Sequence, residues 1–235
     1  MLVLSFALLG LVAGLALDAV IVRLAVPPDD GLNGDEEVPH TQTLAAESGS
    51  LVVTSVGAQW PRRLIVMSAT SALFAIAAFR YDEPAHLALV SIYICVFVAC
   101  AGTDLLAYRV PNVITYPAII GAIIVGALMP NANVWEVLAG GALTGSVLLL
   151  PALFTGGIGM GMGDVKLAAF VGLAIGLTLA PAAMLIMAFG GGLVAALLLV
   201  TGLRQKGEPI PYAPFISAGG LIVLLWQGAA FAAAT

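Results

Sequence analysis

Charged residues are scarce in this sequence: Asp, Glu, Lys and Arg make up only 9% of its 235 residues, whereas 61% are hydrophobic. Soluble domains are usually about a quarter charged and near half apolar, so a soluble enzyme, a nucleic-acid-binding protein and a disordered chain are poor interpretations. Cysteine is nearly absent too. Cys95 and Cys100 lie in one apolar stretch without a CxxC pair, which argues against a disulfide framework and a zinc site.

Long apolar runs predict an all-α, polytopic membrane helix bundle with about eight transmembrane helices, since a span needs roughly 20 apolar residues. The predicted spans run over residues 2–24, 64–80, 86–103, 113–129, 134–154, 165–180, 182–203 and 213–233. The first run has no basic segment before it and no clear cleavage site, so we interpret it as a span and not as a signal peptide. The chain then divides into a first transmembrane helix (1–24), an acidic loop without cysteines (25–63) and a seven-helix membrane core (64–235).

The basic residues predict an orientation. With eight spans, seven of the eight Lys and Arg residues fall in or beside loops 1, 3, 5 and 7, and only Arg80 lies elsewhere. The positive-inside rule then places these loops in the cytoplasm and both termini outside.

Three acids at the edges of apolar spans need an explanation, because an ionised group costs about 2.5–3.5 kcal/mol at the bilayer centre and less near the interface. They are Asp18, Asp104 and Asp164. The topology places Asp104 and Asp164 at cytoplasmic helix ends, at similar depth. Two such carboxylates could form an aspartyl protease, in which one takes a proton from water and its protonated partner polarises the scissile carbonyl. Alternatively, each acid caps a helix or pairs with Arg109 or Lys166.

A dense run of glycines precedes Asp164: Gly156, Gly157, Gly159, Gly161 and Gly163. Such a run disfavours regular helix and would let a substrate backbone approach Asp164. A flexible loop or close helix packing is the alternative. A phosphate-binding loop is disfavoured, because no Lys-Ser/Thr follows the glycines.

Five segments, in order, resemble motifs of the type IV prepilin peptidases. Residues 161–166 (GMGDVK) are similar to that family's GxGD motif, and residues 104–112 resemble its first aspartate with the Pro-Asn that follows. Residues 14–24, 59–63 and 210–220 resemble its N-terminal motif, its Tyr-Pro element and its I-P-F-G-P-F-L segment.

The resemblance implies a membrane aspartyl endopeptidase of the prokaryotic cytoplasmic (inner) membrane. It would remove the leader of type IV prepilins or pseudopilins at the cytoplasmic face. Its partners would be that substrate and the lipid bilayer, with no nucleic acid, metal or other cofactor. The implied site residues are the catalytic pair Asp104 and Asp164, with Gly161, Gly163, Lys166, Pro111 and Asn112 binding substrate or shaping the loop.

The chain also departs from the family pattern. Many members bind zinc through two CxxC pairs in the first loop and also methylate the new N-terminus with S-adenosylmethionine. Residues 25–63 contain no cysteine, so we expect no zinc and regard N-methyltransferase activity as doubtful. Asp18 stands where the family has Asn, and we favour a neutral hydrogen-bonding replacement over an ion pair with Arg23 or Arg62.

Several alternatives stay open. In an ion-coupled transporter the three aspartates would line a cation path, although they cluster near one face and no internal repeat is visible. A preflagellin peptidase or another GxGD protease would use the same chemistry, and an inactive family member is a further possibility. The acids of loop 1 could attract a basic leader or simply solvate the loop. The motifs specify neither the prepilin nor the oligomeric state.

Overall fold

The computed structural model describes residues 2–25, 56–130, 132–154, 160–201 and 210–233. These residues form eight helices and one small β-hairpin. The helices are α1 (Leu2–Ala25), α2 (Val56–Arg80), α3 (Pro84–Ala107), α4 (Asn112–Leu128), α5 (Val134–Phe154), α6 (Met162–Ile175), α7 (Ala180–Val200) and α8 (Ala213–Trp226). The hairpin pairs β1 (Gly228–Ala229) with β2 (Ala232–Ala233).

The prediction of an all-α membrane bundle is confirmed. Five helices are long and apolar enough to cross a membrane: α1, α2 from Trp60 onward, α3, α5, and α7 as far as Leu197. Helices α4, α6 and α8 have 17, 14 and 14 residues, fewer than the roughly 20 that a full span requires. That these three also cross the membrane stays a prediction.

Some helix bounds differ from the predicted spans. Helix α2 begins at Val56, within the predicted loop 25–63, while the acidic residues of that loop lie outside the described residues. Helix α6 ends at Ile175 because Gly176 adopts a φ of 80°. Helix α8 ends at Trp226, short of residue 233, because Gly228 adopts a φ of 122° and turns the chain into the hairpin. Both glycines occupy backbone conformations that other residues rarely adopt.

The core is centred on α6, which packs against α4, α5 and α8. Glycines allow α5 and α6 to approach closely: a Cβ on Gly172 would collide with the backbone of Gly140. The Thr144 hydroxyl of α5 also donates a hydrogen bond of 2.7 Å to the Ala168 carbonyl of α6. In lipid the hydrophobic effect does not drive helices together, so close packing of small residues and hydrogen bonds between helices stabilise their association.

Contacts between helix ends show that successive helices run in opposite directions. At one end, Arg109 donates to the Leu24 carbonyl and the Ala213 N–H donates to Asp104. At the other end, the Tyr81 hydroxyl donates to a carbonyl in the last turns of α8. The described parts of loops 3, 5 and 7 therefore share one end of the bundle, as the charge pattern predicted. Which membrane face this end occupies stays a prediction.

Candidate active site

Asp104 and Asp164 line one cavity of about 220 Å³ at the shared end of the bundle. Asp104 lies in the last turn of α3 and Asp164 in the first turn of α6. They are 60 positions apart in sequence, and the opposite directions of α3 and α4 and of α5 and α6 bring them to the same level. The other lining residues are Tyr108, Arg109, Val110, Asn112, Gly161, Met162, Gly163 and Lys166.

Asp104 is held by the start of a third helix. Its side chain is buried, and Oδ2 accepts a hydrogen bond of 2.9 Å from the backbone N–H of Ala213, the first residue of α8. The backbone N–H of Tyr212 also interacts with this carboxylate. A helix N-terminus carries partial positive charge, and hydrogen bonds to a carboxylate favour its ionised form. These donors favour the ionised form of Asp104, and burial of the side chain opposes it.

Asp164 has a different environment. It precedes the apolar run 165–180 and lies outside the five helices long enough to cross a membrane. Burial, and then the negative charge of Asp104, raise the pKa of Asp164 above its usual range. Within the described residues its Oδ1 is buried without a hydrogen-bond partner. Two neighbouring carboxylates that differ in this way share a proton more readily than they both ionise.

Asp164 also caps its own helix. The helix begins after Gly161, and the Asp164 carboxylate interacts with the Gly161 N–H, as the third residue of a capping box does. This contact fits the capping alternative for Asp164 and is compatible with a role in the cavity. The ion-pair alternative is wrong: the Lys166 ammonium donates to Asn112 Oδ1 at 2.8 Å, and Arg109 donates to the Leu24 carbonyl.

The two glycines of the GxGD motif have different surroundings. A Cβ on Gly163 would lie 2.9 Å from Cβ of Val110 and 3.3 Å from its carbonyl oxygen, so this position has no room for a side chain. A Cβ on Gly161 would meet Asp164 Oδ2 only at 3.6 Å, an ordinary contact. Gly163 thus lets α6 approach the segment that follows Asp104. Gly156, Gly157 and Gly159 lie outside the described residues.

Pro111 and Asn112 connect the two motifs. Pro111 is the N-cap residue of α4, and its carbonyl accepts hydrogen bonds from the backbone N–H groups of the first turn. Asn112, the next residue, binds the Lys166 ammonium, which also lies 4.5 Å from the centre of the Tyr116 ring. The hydrogen bond to the amide oxygen and the cation–π contact with the ring together fix the position of the ammonium. Lys166 therefore ties α6 to α4 beside the aspartates.

Asp18 is not part of this cavity. It is 1% exposed and accepts hydrogen bonds from Arg62 Nε at 2.8 Å and Arg63 Nε at 3.1 Å. The favoured prediction of a neutral replacement for Asn is therefore wrong, and the ion-pair alternative is confirmed for Arg62. The early start of α2 is the reason, since it places both arginines on a helix beside α1.

Sequence reasoning gave no role to Tyr116, Tyr212 or Ala213. Tyr116 had a usable signal, because it lies one helical turn after Asn112. Ala213 acts through its backbone N–H, so its residue type carries no signal, although Pro214 in the first turn marks a helix start. Across the described ranges, no three His, Cys, Asp or Glu side chains form a metal-binding group.

The chain is similar to proteins of known name. Residues 91–200 match the model of the Type IV leader peptidase family, a range that includes both aspartates. A Bacillus subtilis protein named prepilin leader peptidase/N-methyltransferase is 30% identical over 162 residues, covering 67% of this chain and 63% of the relative. A protein of the same name from Burkholderia pseudomallei is 28% identical over 185 residues, covering 74% of this chain and 56% of the relative.

A further relative of that name, from Pseudomonas aeruginosa, is 37% identical over 81 residues, covering 34% of this chain and 28% of the relative. The chain thus spans less than two thirds of the length of these curated relatives. No solved structure matches it. The matched range includes every residue that lines the cavity, and the relatives share one name. This chain therefore belongs to the type IV leader peptidase family.

Proposed function

We propose that this protein is a membrane aspartyl endopeptidase that removes the leader of type IV prepilins or pseudopilins. The observation that carries the proposal is the single cavity lined by Asp104 and Asp164. One carboxylate there is stabilised in its ionised form by the start of α8, and the other is held in a setting that favours its protonated form. The names of the relatives supply the substrate class.

The chemistry follows from the two environments. Asp104, ionised, accepts a proton from a water molecule as the water oxygen attacks the scissile carbonyl carbon, while protonated Asp164 gives its proton to the carbonyl oxygen. When the resulting diol collapses, the C–N bond breaks and the leaving nitrogen takes the proton from Asp104. The diol returns a proton to Asp164, so the pair ends in its starting state. The reaction consumes one water and needs no metal.

We further propose that the cavity faces the cytoplasm and that both termini lie outside, in a prokaryotic cytoplasmic membrane. The support is the distribution of charge. Arg62, Arg63, Arg109 and Lys166 all lie at the end of the bundle that carries the aspartates, whereas Arg80 lies at the other end. Basic loops remain on the cytoplasmic side of membranes.

A four-cysteine zinc site does not fit this chain, and we propose that catalysis proceeds without zinc. Both cysteines lie on α3 within a membrane-crossing helix, Cys95 partly buried and Cys100 buried. The names of the relatives also include N-methyltransferase, and the activity proposed for this chain is cleavage alone.

The proposal is tested by co-expression with a prepilin and mass measurement of the pilin N-terminus. The enzyme forms are wild type, Asp104→Asn, Asp164→Asn and the matched control Asp82→Asn, an exposed acid at the opposite end of the bundle. We expect cleavage by wild type and the control and none by either site variant. Cleavage by both site variants would overturn the two-aspartate mechanism. The mass increment of one methyl group on the cleaved pilin would show N-methylation.

The same experiment separates the alternatives. A preflagellin peptidase would cut a preflagellin and leave prepilins intact. In an ion-coupled transporter, the aspartate variants would alter ion-dependent uptake while no prepilin is cut. Among the described residues, Asp18 pairs with Arg62 and Arg63 and does not line the cavity of Asp104 and Asp164, which counts against one cation path through the three acids.

A further inference from the structure

An apolar groove of about 500 Å³ opens between α5 and α7. We call it the α5–α7 groove. Its lining is apolar except for one tyrosine, and the residues are Leu143, Val147, Leu148, Pro181, Met184, Leu185, Met187, Ala188 and Tyr212.

The groove is the seam between two closely packed helix pairs. Glycines hold α5 against α6, since a Cβ on Gly141 would lie 2.6 Å from the Leu173 side chain. Glycines also hold α7 against α8, since a Cβ on Gly219 would lie 2.7 Å from Met187. Helices α5 and α7 share few contacts by comparison. Two tight pairs with a loose seam between them leave a lipid-accessible opening at that seam.

Tyr212 connects the α5–α7 groove to the active site. Its lining residue Tyr212 interacts through its backbone N–H with the Asp104 carboxylate. Burial raises the pKa of the Tyr212 hydroxyl, and the negative charge of Asp164 raises it further. Tyr212 is therefore close enough to both aspartates to interact with each of them. Tyr212 packs on Gly191 of α7, and the groove residues of α7 extend from Ala188 back to Pro181. The groove therefore runs from the site toward the opposite membrane face for about 10 Å, or two helical turns.

A second, larger apolar groove of about 610 Å³ lies between α1 and α3. Neither groove shares a lining residue with the active-site cavity. The difference is that no contact is seen, among the described residues, between the lining of the larger groove and either aspartate, whereas Tyr212 of the α5–α7 groove interacts with Asp104. Ile21 of α1 packs tightly on Gly102, two residues before Asp104. Size favours this groove, but none of its described lining residues links it to the aspartates as Tyr212 links the α5–α7 groove.

We propose that the α5–α7 groove binds the first two turns of the substrate's apolar helix, immediately after the scissile bond. This inference rests on the proposed function and names where its substrate binds. A prepilin cut just before its apolar helix must place the bond at the aspartates while the helix continues into the bilayer. A groove that starts at Tyr212, contains no charged lining residue and leads away from the site meets both requirements.

The helices that border the groove also have exposed apolar side chains. On α7, Leu185 is 58% exposed, and Phe189 and Leu193 are more exposed still. On α5, Val147 and Leu150 are exposed as well. Without a hydrophobic driving force in lipid, a helix binds such a surface through close packing, and the groove supplies the concave shape that close packing needs.

The test is photo-crosslinking in membranes with p-benzoylphenylalanine at Leu185 in the Asp164→Asn background and a prepilin as the probe. The matched control carries the crosslinker at Ile92, which lines the larger groove and is 57% exposed, almost as much as Leu185. We expect a crosslinked enzyme–prepilin product from Leu185 that maps to the first two turns of the pilin helix, and none from Ile92. Products from Ile92 alone, or only lipid or enzyme–enzyme products from Leu185, would overturn the inference.

A kinetic measurement in otherwise wild-type enzyme separates binding from folding. Leu185→Trp would narrow the groove, so we expect KM for the prepilin to rise about tenfold with kcat little changed, the pattern of lost substrate binding. Ile92→Trp should change neither value. Equal effects of the two variants would overturn the inference and leave the proposed function intact. Absence of prepilin cleavage by wild type would overturn the proposed function and this inference with it.

Discussion

The backbone N–H of Ala213 donates a hydrogen bond of 2.9 Å to the carboxylate of Asp104, a residue 109 positions earlier in the chain. This bond makes the start of α8 a third component of a site whose other two components are the ends of α3 and α6. It also makes the two aspartates unequal, because Asp104 accepts a hydrogen bond from a second helix, whereas Asp164 interacts with the N-cap residue of its own helix and its Oδ1 has no partner within the described residues. In the proposed mechanism this inequality makes Asp104 the base and Asp164 the acid.

The two motif glycines should respond differently to substitution. Gly163→Ala brings a methyl group to 2.9 Å from Val110, and overpacking of this kind costs about 1–3 kcal/mol. We expect it to lower kcat/KM by more than tenfold, since it pushes α6 away from Asp104. Gly161→Ala meets only ordinary contacts and should retain most activity. Cleavage assays on both variants decide the matter, and a greater loss for Gly161→Ala would contradict the packing argument.

Cleavage should depend on pH through Asp164. Because its pKa is raised, chiefly by burial, the protonated acid that the mechanism needs persists above the ordinary pKa of about 4. We expect kcat/KM to fall as the pH rises through the raised pKa. The folded protein holds the Asp164 proton more tightly than the unfolded chain does. The resulting contribution to the free energy of unfolding is complete below the ordinary pKa and is lost as the pH rises through the raised pKa. Thermal unfolding against pH measures this slope, which should be absent in Asp164→Asn.

The Lys166 contacts should contribute separately. Tyr116→Phe keeps the ring under the ammonium and should behave as wild type, whereas Tyr116→Leu removes a cation–π contact worth about 0.5–1 kcal/mol at exposed sites. Asn112→Ala removes the oxygen that holds the same ammonium. We expect Tyr116→Leu and Asn112→Ala each to lower the cleavage rate severalfold. Equal loss in Tyr116→Phe would show that the hydroxyl, and not the ring, matters.

The ion-pair group on α1 and α2 should show an asymmetry. Arg62→Gln with Arg63→Gln leaves the buried Asp18 charge without a partner, which costs about 3–5 kcal/mol for a fully buried pair. Asp18→Asn leaves two partly exposed arginines that water can solvate, so its cost should be smaller. Thermal unfolding in detergent should therefore rank the double arginine variant as the less stable. The opposite order would contradict the stabilisation of Asp18 by the two arginines.

Metal removal should leave the enzyme active. Residues 25–63 contain no cysteine, and the proposed chemistry uses only carboxylates and water. We expect a zinc chelator to leave both prepilin cleavage and the thermal unfolding temperature unchanged, and metal analysis of the purified protein to find no stoichiometric zinc. Loss of either property on chelation, restored by added zinc, would contradict the prediction.

The sequence by itself determined the class of the protein and predicted the two aspartates that the proposed function uses. Apolar runs long enough to cross a bilayer leave few folds other than a helix bundle, since unpaired backbone groups are intolerable in lipid. Asp104 and Asp164 stood out for a related reason. An acid at the edge of such a run costs free energy, so the few that occur there are usually functional. The motif order then indicated the family.

Only the tertiary structure decided how these residues are arranged. That Ala213 holds Asp104, that Gly163 and not Gly161 is sterically required, and that Asp18 pairs with arginines all depend on contacts between distant segments. A backbone N–H carries no residue signature, and neither does the space around a glycine. Helix ends were also misplaced where local backbone geometry ended a helix before its apolar run did, as at Gly176 and Gly228. Hydropathy predicts whether a segment can lie in lipid or in a protein core. Which of its atoms contact other segments depends on how the helices pack.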